Sequence, residues 1–373
     1  MAIPGDGERA PVTQVDAAPQ RSDPPAQQNS TADAALRRRG PHPLPVFLDT
    51  VARVCGDDRA RLARVLAGLR RYQAAPAAPQ RSARPVAARS GGVCLRDYGG
   101  AGPVVVVVPS LINPPTVLDL APGNSLLAGL AVRGLRPLLV DWGETEAAGL
   151  AALVETRLVP LVAGLGVPVA LLGYCLGGTL ALGAAALLGD RVTRLALLAT
   201  PWHFSGYADG RTGLADWWMQ AEPVAKRLGA VPMDLLQPAF WALDPAGLAA
   251  KYERLAVLPD ADIAAFALLE DWSNTGQPLS LAAARGLAED LFAGDASGRG
   301  TWIVGGGAVT PDRLRLPILD VIATRDKIVP PSAALSTSGT GTPLPLDAGH
   351  VGMVVGGRAP ALLWDPLAAW LCA

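Results

Sequence analysis

Residues 171–182, LLGYCLGGTLAL, set Cys175 between Gly173 and Gly177, after an apolar run and before a stretch rich in Ala and Leu. This is a G-x-nucleophile-x-G pattern with cysteine in the reactive place. A nucleophile on a tight strand-to-helix turn needs neighbours without side chains. The helix that follows directs its N-terminal dipole at the sulfur, which favours thiolate. An unpaired cysteine is ordinarily a small buried residue, so Cys175 needs partners to count as a nucleophile. No G-x-S-x-G occurs elsewhere in the chain to compete for the role.

A reactive thiol needs a base, and the base needs an orienting acid. Only His42, His203 and His350 are available. In this class of site the chain order is nucleophile, acid, base. Asp326 ends the run PILDVIATRD, 151 residues after Cys175, and His350 follows 24 residues later in LDAGHVGMVVG. His203 precedes the acid and has the wrong order for the base. Asp320 lies inside its run and Asp347 sits beside His350, so both suit the acid's place less well. An oxyanion would be held by backbone amides: that of Leu176, and that of Leu111 or Ile112 in the loop after VVVVVP.

The elements that must position these groups follow from pattern. Val104 to Pro109 is an unbroken β-branched run, as a strand buried on both faces requires. RPLLVDWG (136–143), PVALLGYC (168–175), RLALLATPW (194–202) and PILDVIATRD (317–326) repeat the theme between helical stretches. Strands alternating with helices predict an α/β protein with a mostly parallel, doubly wound sheet. VCLRDYGG reads as its edge strand. The alternation breaks after residue 202, and 203–312 reads as a helical cap inserted before the strand that carries Asp326. The core is then 91–202 and 313–373. Residues 41–90 are expected to hold two short helices packing on the main body and a Pro/Ala-rich linker, and 1–40 a disordered leader.

Composition narrows the chemistry. The 373 residues are 50% hydrophobic and 17% charged with a net charge of −1, which gives nucleic-acid binding no electrostatic support. The four cysteines lack close pairing, which suits a reducing cytoplasm, and no histidine stands near a cysteine at metal-ligand spacing. Neither metal nor cofactor is expected. No charged residue falls between Arg157 and Asp190, yet Pro160, Pro168 and the glycines divide that stretch into strand, turn and helix rather than a membrane span. The N-terminus lacks the basic start and apolar run of a secretory signal.

VVVPSLINPPTVLDLAPGNSLLAGLAVRGLRPLLVDWGE, GYCLGG, TRDKIVPP and AGHVGMVVG, in this order, resemble polyhydroxyalkanoate synthases, nearest in length to the short two-component type or a paralogue of it. The resemblance runs from about Pro45 to the C-terminus. It implies an α/β-hydrolase fold, a Cys175–Asp326–His350 triad, and (R)-3-hydroxyacyl-CoA polymerised through a cysteine thioester with release of CoA. It further implies a partner synthase subunit, dimerisation, and a cytoplasmic protein at the surface of polyester granules. The chain departs from the family where it has Pro114, Pro115 and Thr116 after Asn113, Lys327 after Asp326, and His203 before Phe204. Those departures keep two alternatives open: a cysteine-dependent thioesterase or intracellular polyester depolymerase, and a non-catalytic granule-associated subunit. Tyr174, His203, Trp202 and Asn113 are the candidates for lining the substrate pocket. Six of nine tryptophans lie between residues 202 and 302, where a cap could form a dry acyl channel.

Overall fold

A computed structural model describes residues 39–76, 81–143, 147–208 and 210–373. The expected disordered leader, up to residue 38, lies outside the described residues.

Eight strands form one sheet: β1 (Val86–Ser90), β2 (Val93–Asp97), β3 (Val104–Val108), β4 (Arg136–Asp141), β5 (Val169–Tyr174), β6 (Val192–Leu198), β7 (Ile318–Ala323) and β8 (Thr342–Leu346). Their order across the sheet is β1-β2-β4-β3-β5-β6-β7-β8. Only β2 runs against its neighbours, pairing antiparallel with β1 and β4. The remaining pairs are parallel. This is an α/β-hydrolase sheet: the alternating pattern predicts its mostly parallel, doubly wound order, and the family resemblance implies the hydrolase fold.

The valine run shows why the sheet forms where it does. Successive side chains of a strand point to opposite faces. Val106 and Val108 join a core on one face with Leu171, Leu195 and Leu197. Val105 and Val107 join a second core on the other face with Leu172, Leu198 and Val321. A strand covered on both faces has no polar side to offer, hence the unbroken run. The first face is covered by the helix Leu176–Leu188 and the second by the helices Leu126–Val132 and Asp365–Cys372.

Residues 86–90, read from sequence as linker, are instead the edge strand β1, and VCLRDYGG is the second strand in. VAARS carries too little apolar pattern to announce itself. It becomes a strand by hairpin pairing with β2 across Gly91, whose φ is 58°.

Between β6 and β7 the chain builds helices Gly210–Leu228, Met233–Leu243, Pro245–Leu255 and Asp260–Ser273. The two N-terminal helices, α1 (Leu44–Cys55) and α2 (Arg59–Ala74), pack on these inserted helices. Phe47 meets Trp241 and Tyr252 edge-on, with ring centroids 5.6 and 4.8 Å apart. Tyr72 donates to Asp271 at 2.8 Å and Tyr252 donates to Glu270 at 2.8 Å. These contacts form a third core, separate from those on the sheet faces. Among the described residues, no helix is long and apolar enough to cross a membrane.

Candidate active site

The elbow follows from steric facts at two glycines. A Cβ on Gly173 would lie 2.2 Å from the Cα of Gly178, and one on Gly177 would lie 2.1 Å from the carbonyl oxygen of Val108. Only hydrogen fits in either place. With those gaps closed, β5 turns at once into the helix Leu176–Leu188, and Cys175 takes φ 54° and ψ −133°. A non-glycine residue in that region stores about 1–3 kcal/mol of strain. Two backbone bonds hold it: the Cys175 amide donates to Leu198 and the Gly178 amide donates to Cys175, each at 2.9 Å. Cys175 is half-buried and faces a cavity.

β7 ends at Ala323 and β8 at Leu346, so the loops bearing Asp326 and His350 leave the same edge of the sheet as Cys175. Asp326 is buried, and its Oδ1 accepts from the amides of Ile328 at 2.7 Å and Val329 at 2.9 Å. Its Oδ2 lies 2.6 Å from His350 Nδ1. That bond leaves the other imidazole nitrogen free for Cys175, which lines the same cavity as His350. Burial alone would pull the imidazole down. The Cys175 sulfur charge and the Asp326 hydrogen bond outweigh it, and His350 is pushed up to about 10. The structure thus brings the three residues that sequence order selects to one place, with Asp326 bonded to His350 and both His350 and Cys175 on the cavity wall. Such a set can hold a thiolate–imidazolium pair, attack an acyl carbon and return a proton to a leaving group.

Tyr174 stands behind the imidazole, with ring centroids 5.1 Å apart, and its hydroxyl donates to the His350 carbonyl at 3.3 Å. Burial, then the charges of Cys175 and Asp326, keep its phenol protonated well above the usual range.

Leu176 opens its helix, so its amide has no intrahelical acceptor and is available to an oxyanion. In the loop after β3 the Ile112 amide donates to Ser110 Oγ at 3.3 Å, which leaves Leu111 the better second donor. The Leu111 side chain is buried in the core while Ile112 faces the cavity. Asn113 borders the cavity, but its amide nitrogen is engaged by the carbonyls of Ser273 at 3.3 Å and Thr275 at 3.2 Å. Asn113 therefore fastens the inserted helices to this loop.

Two expected pocket residues lie elsewhere. Trp202 is packed in the core against Trp302, centroids 6.3 Å apart, and its carbonyl accepts from Ser297. His203 does not line the cavity; its amide is bound to the Ala333 carbonyl. The residues of this segment that do line the cavity are Phe204 and Tyr207, one turn further on. The sequence carried no signal for Tyr207 beyond its closeness to the end of β6.

The cavity in front of Cys175 has a volume of about 170 Å³. Leu214, Trp217, Leu236, Phe240, Leu287 and Phe292 of the insertion make most of its wall apolar. Among the described residues no cluster of His, Cys, Asp and Glu could hold a metal ion.

No family model matches the chain. Among curated proteins it is similar to the poly(3-hydroxyalkanoate) polymerase subunit PhaC of Haloferax mediterranei, 27% identical over 288 residues, 71% of this chain and 58% of that one. It is also similar to the subunit of the same name from Allochromatium vinosum, 28% identical over 72% of this chain and 80% of that one. A third, from Synechocystis, is 28% identical over 72% and 77%. The match thus spans less than two thirds of the Haloferax protein and more of the other two. Among solved structures it resembles a monoacylglycerol lipase from Paleococcus ferrophilus at TM-score 0.47 and 15% identity, covering 74% of this chain and 98% of that one. A thermophilic esterase from Thermogutta terrifontis follows at TM-score 0.44 and 19% identity, covering 79% and 98%.

Proposed function

This chain is a relative of the polyhydroxyalkanoate synthases, and from that premise we propose that it polymerises 3-hydroxyacyl groups from CoA thioesters through a thioester on Cys175. The observation that carries the reading is His350, bonded to Asp326, beside Cys175 on the wall of an apolar cavity.

In the first step the Cys175 thiolate attacks the thioester carbonyl, whose oxygen is held by the amides of Leu176 and Leu111. The bond from carbon to the CoA sulfur breaks, and the departing sulfur takes a proton from His350. One thioester replaces another, so the step is close to thermoneutral and readily reversed. In the second step the hydroxyl of another 3-hydroxyacyl-CoA attacks the acyl-Cys175 carbonyl and gives its proton to His350. An ester bond forms, the bond from carbon to Sγ breaks, and the thiolate returns. The product is an acyl-CoA one unit longer, which can load Cys175 again. Asp326 holds the imidazole in one tautomer throughout.

Water in place of the second hydroxyl would give free acid, and the apolar wall supports the polymerising outcome by keeping water scarce. Acyl-CoA and the polyester chain are the partners this mechanism needs. A second synthase subunit, dimerisation and residence at cytoplasmic polyester granules accompany it as part of the same proposal.

The test is incubation of the protein with 3-hydroxybutyryl-CoA, following CoA release and separating polymer from soluble product. Insoluble polyester is the expected result. Release of CoA with 3-hydroxybutyrate as the sole product would replace this reading with a cysteine thioesterase.

A further inference from the structure

Among the described residues, one polar side chain on the wall of the cavity in front of the Cys175 sulfur makes no hydrogen bond within the protein. Tyr174 donates to the His350 carbonyl, Ser110 accepts from Ile112, and Asn113 is bound to Ser273 and Thr275. Among the described residues, the hydroxyl of Tyr207 has no hydrogen-bond partner.

Tyr207 is held firmly. Its ring stacks on Phe204 with centroids 5.8 Å apart and 18° between planes, and Phe292 meets it edge-on at 4.8 Å. The short turn Phe204–Tyr207 is fastened to the loop that follows Asp326. Ser332 Oγ donates to the Gly206 carbonyl at 2.6 Å and the His203 amide donates to Ala333 at 3.0 Å. Ala208, next in the chain, has a φ of 46°, a costly conformation for alanine that ends the turn just past the tyrosine. Burial, and after it the charges of Cys175 and Asp326, hold the phenol protonated, and Tyr207 lines the same cavity as Cys175. A phenol kept as a donor, rigidly placed and unmatched in an apolar wall, suits a polar atom of the ligand.

An acyl group on Cys175 has few polar atoms to offer. Its carbonyl oxygen belongs with the backbone amides. In a 3-hydroxyacyl group the remaining polar atom is the 3-oxygen. We propose that Tyr207 is the specificity residue that reads this oxygen, binding it through the phenol hydroxyl and favouring hydroxyacyl over plain acyl thioesters. The assignment rests on the acylation of Cys175 proposed above and adds which side chain tells the substrate from its deoxy analogue. A site built to hydrogen-bond a substrate hydroxyl rejects the analogue lacking it, because its own polar group is then left unpaired.

The experiment compares the single-turnover rate of CoA release from 3-hydroxybutyryl-CoA and from butyryl-CoA, in the full chain and in Tyr207→Phe. The substitution removes one oxygen and keeps the stacked ring. Wild type should prefer the hydroxyacyl substrate, and Tyr207→Phe should lower that preference roughly 10–100-fold. The loss should fall on 3-hydroxybutyryl-CoA, while the rate with butyryl-CoA should not fall and should rise where its unpaired phenol was costly, with an unchanged melting temperature. An equal loss on both substrates, or no loss on either, overturns the assignment. Wild type acylated equally by both substrates overturns it too, independently of how the variant folds, while leaving the Cys175 mechanism standing. Wild type releasing CoA from neither substrate would instead remove the mechanism itself.

Discussion

The indole nitrogen of Trp272 donates to the carbonyl of Pro114 at 2.8 Å. Trp272 lies near the end of the inserted helix Asp260–Ser273, and Pro114 lies in the loop between β3 and the short helical turn Pro115–Leu118. Asn113 reaches the same segment through Ser273 and Thr275. Asp271, one residue before Trp272, is held by Tyr72 of α2 and by Arg39. The N-terminal helices, the insertion and the loop that would supply an oxyanion amide thus form one continuous strut.

That strut gives a first prediction. Trp272→Phe keeps one aromatic ring but removes the pyrrole half of the indole, and with it the bond to Pro114. Loss of one such bond is worth about 1 kcal/mol. The turnover number should fall about fivefold while KM and the melting temperature change little. A rise in KM with unchanged turnover would show that the contact serves substrate binding and leaves the loop's position unaffected.

A second prediction concerns pH. His350 is pushed up to about 10 against an ordinary 6.5. A raised folded value means that its protonation stabilises the fold fully below about pH 6.5, and that this contribution is lost as pH rises through about 10. The same proton serves the departing CoA sulfur, so the rate of CoA release should hold through neutral pH and fall near 10. Asp326→Asn removes an influence that raises the imidazole and disturbs its tautomer. Its alkaline limb should move to lower pH, with a loss in turnover on the order of 10²–10⁴-fold. A pH profile unmoved by the substitution would contradict the assignment of Asp326.

A third concerns the elbow. A methyl group at position 177 would press on the Val108 carbonyl. Gly177→Ala should cost about 1–3 kcal/mol, which for a chain of this size lowers the melting temperature by several degrees. Activity should fall further than stability does, since the strand and helix that aim Cys175 must move apart. Differential scanning fluorimetry beside the CoA-release assay separates the two.

A fourth concerns the third core. Phe47 is fully buried between Trp241 and Tyr252. Phe47→Ala should cost about 3–5 kcal/mol, seen as early loss of hydrogen-exchange protection in α1, α2 and Pro245–Leu255, with the sheet still protected. Uniform loss across sheet and helices would show that the unit is not separable.

Much of the site is legible locally. Glycines flanking Cys175 report a close approach that occurs within a few residues, and the valine run reports burial on both faces. The order of Cys175, Asp326 and His350 follows from strands that share a direction, because each then delivers its loop to one edge. What is not legible depends on contacts made far along the chain. Trp202 and Phe204 are equally apolar in the sequence, and only the placement of Trp302 and Phe292 sends one to the core and the other to the cavity. VAARS becomes a strand because β2 lies beside it. The N-terminal helices carry an ordinary amphipathic pattern that fits the sheet or the insertion alike, and Trp241 and Tyr252 decide for the insertion.

The most direct measurement is to mix the protein with 3-hydroxybutyryl-CoA, quench in acid within the first turnover, and map the acylated peptide by mass spectrometry. Hydroxybutyryl units on Cys175, with no CoA released by Cys175→Ala, are the predicted result. An adduct on another residue, or CoA release that persists in Cys175→Ala, would contradict the account.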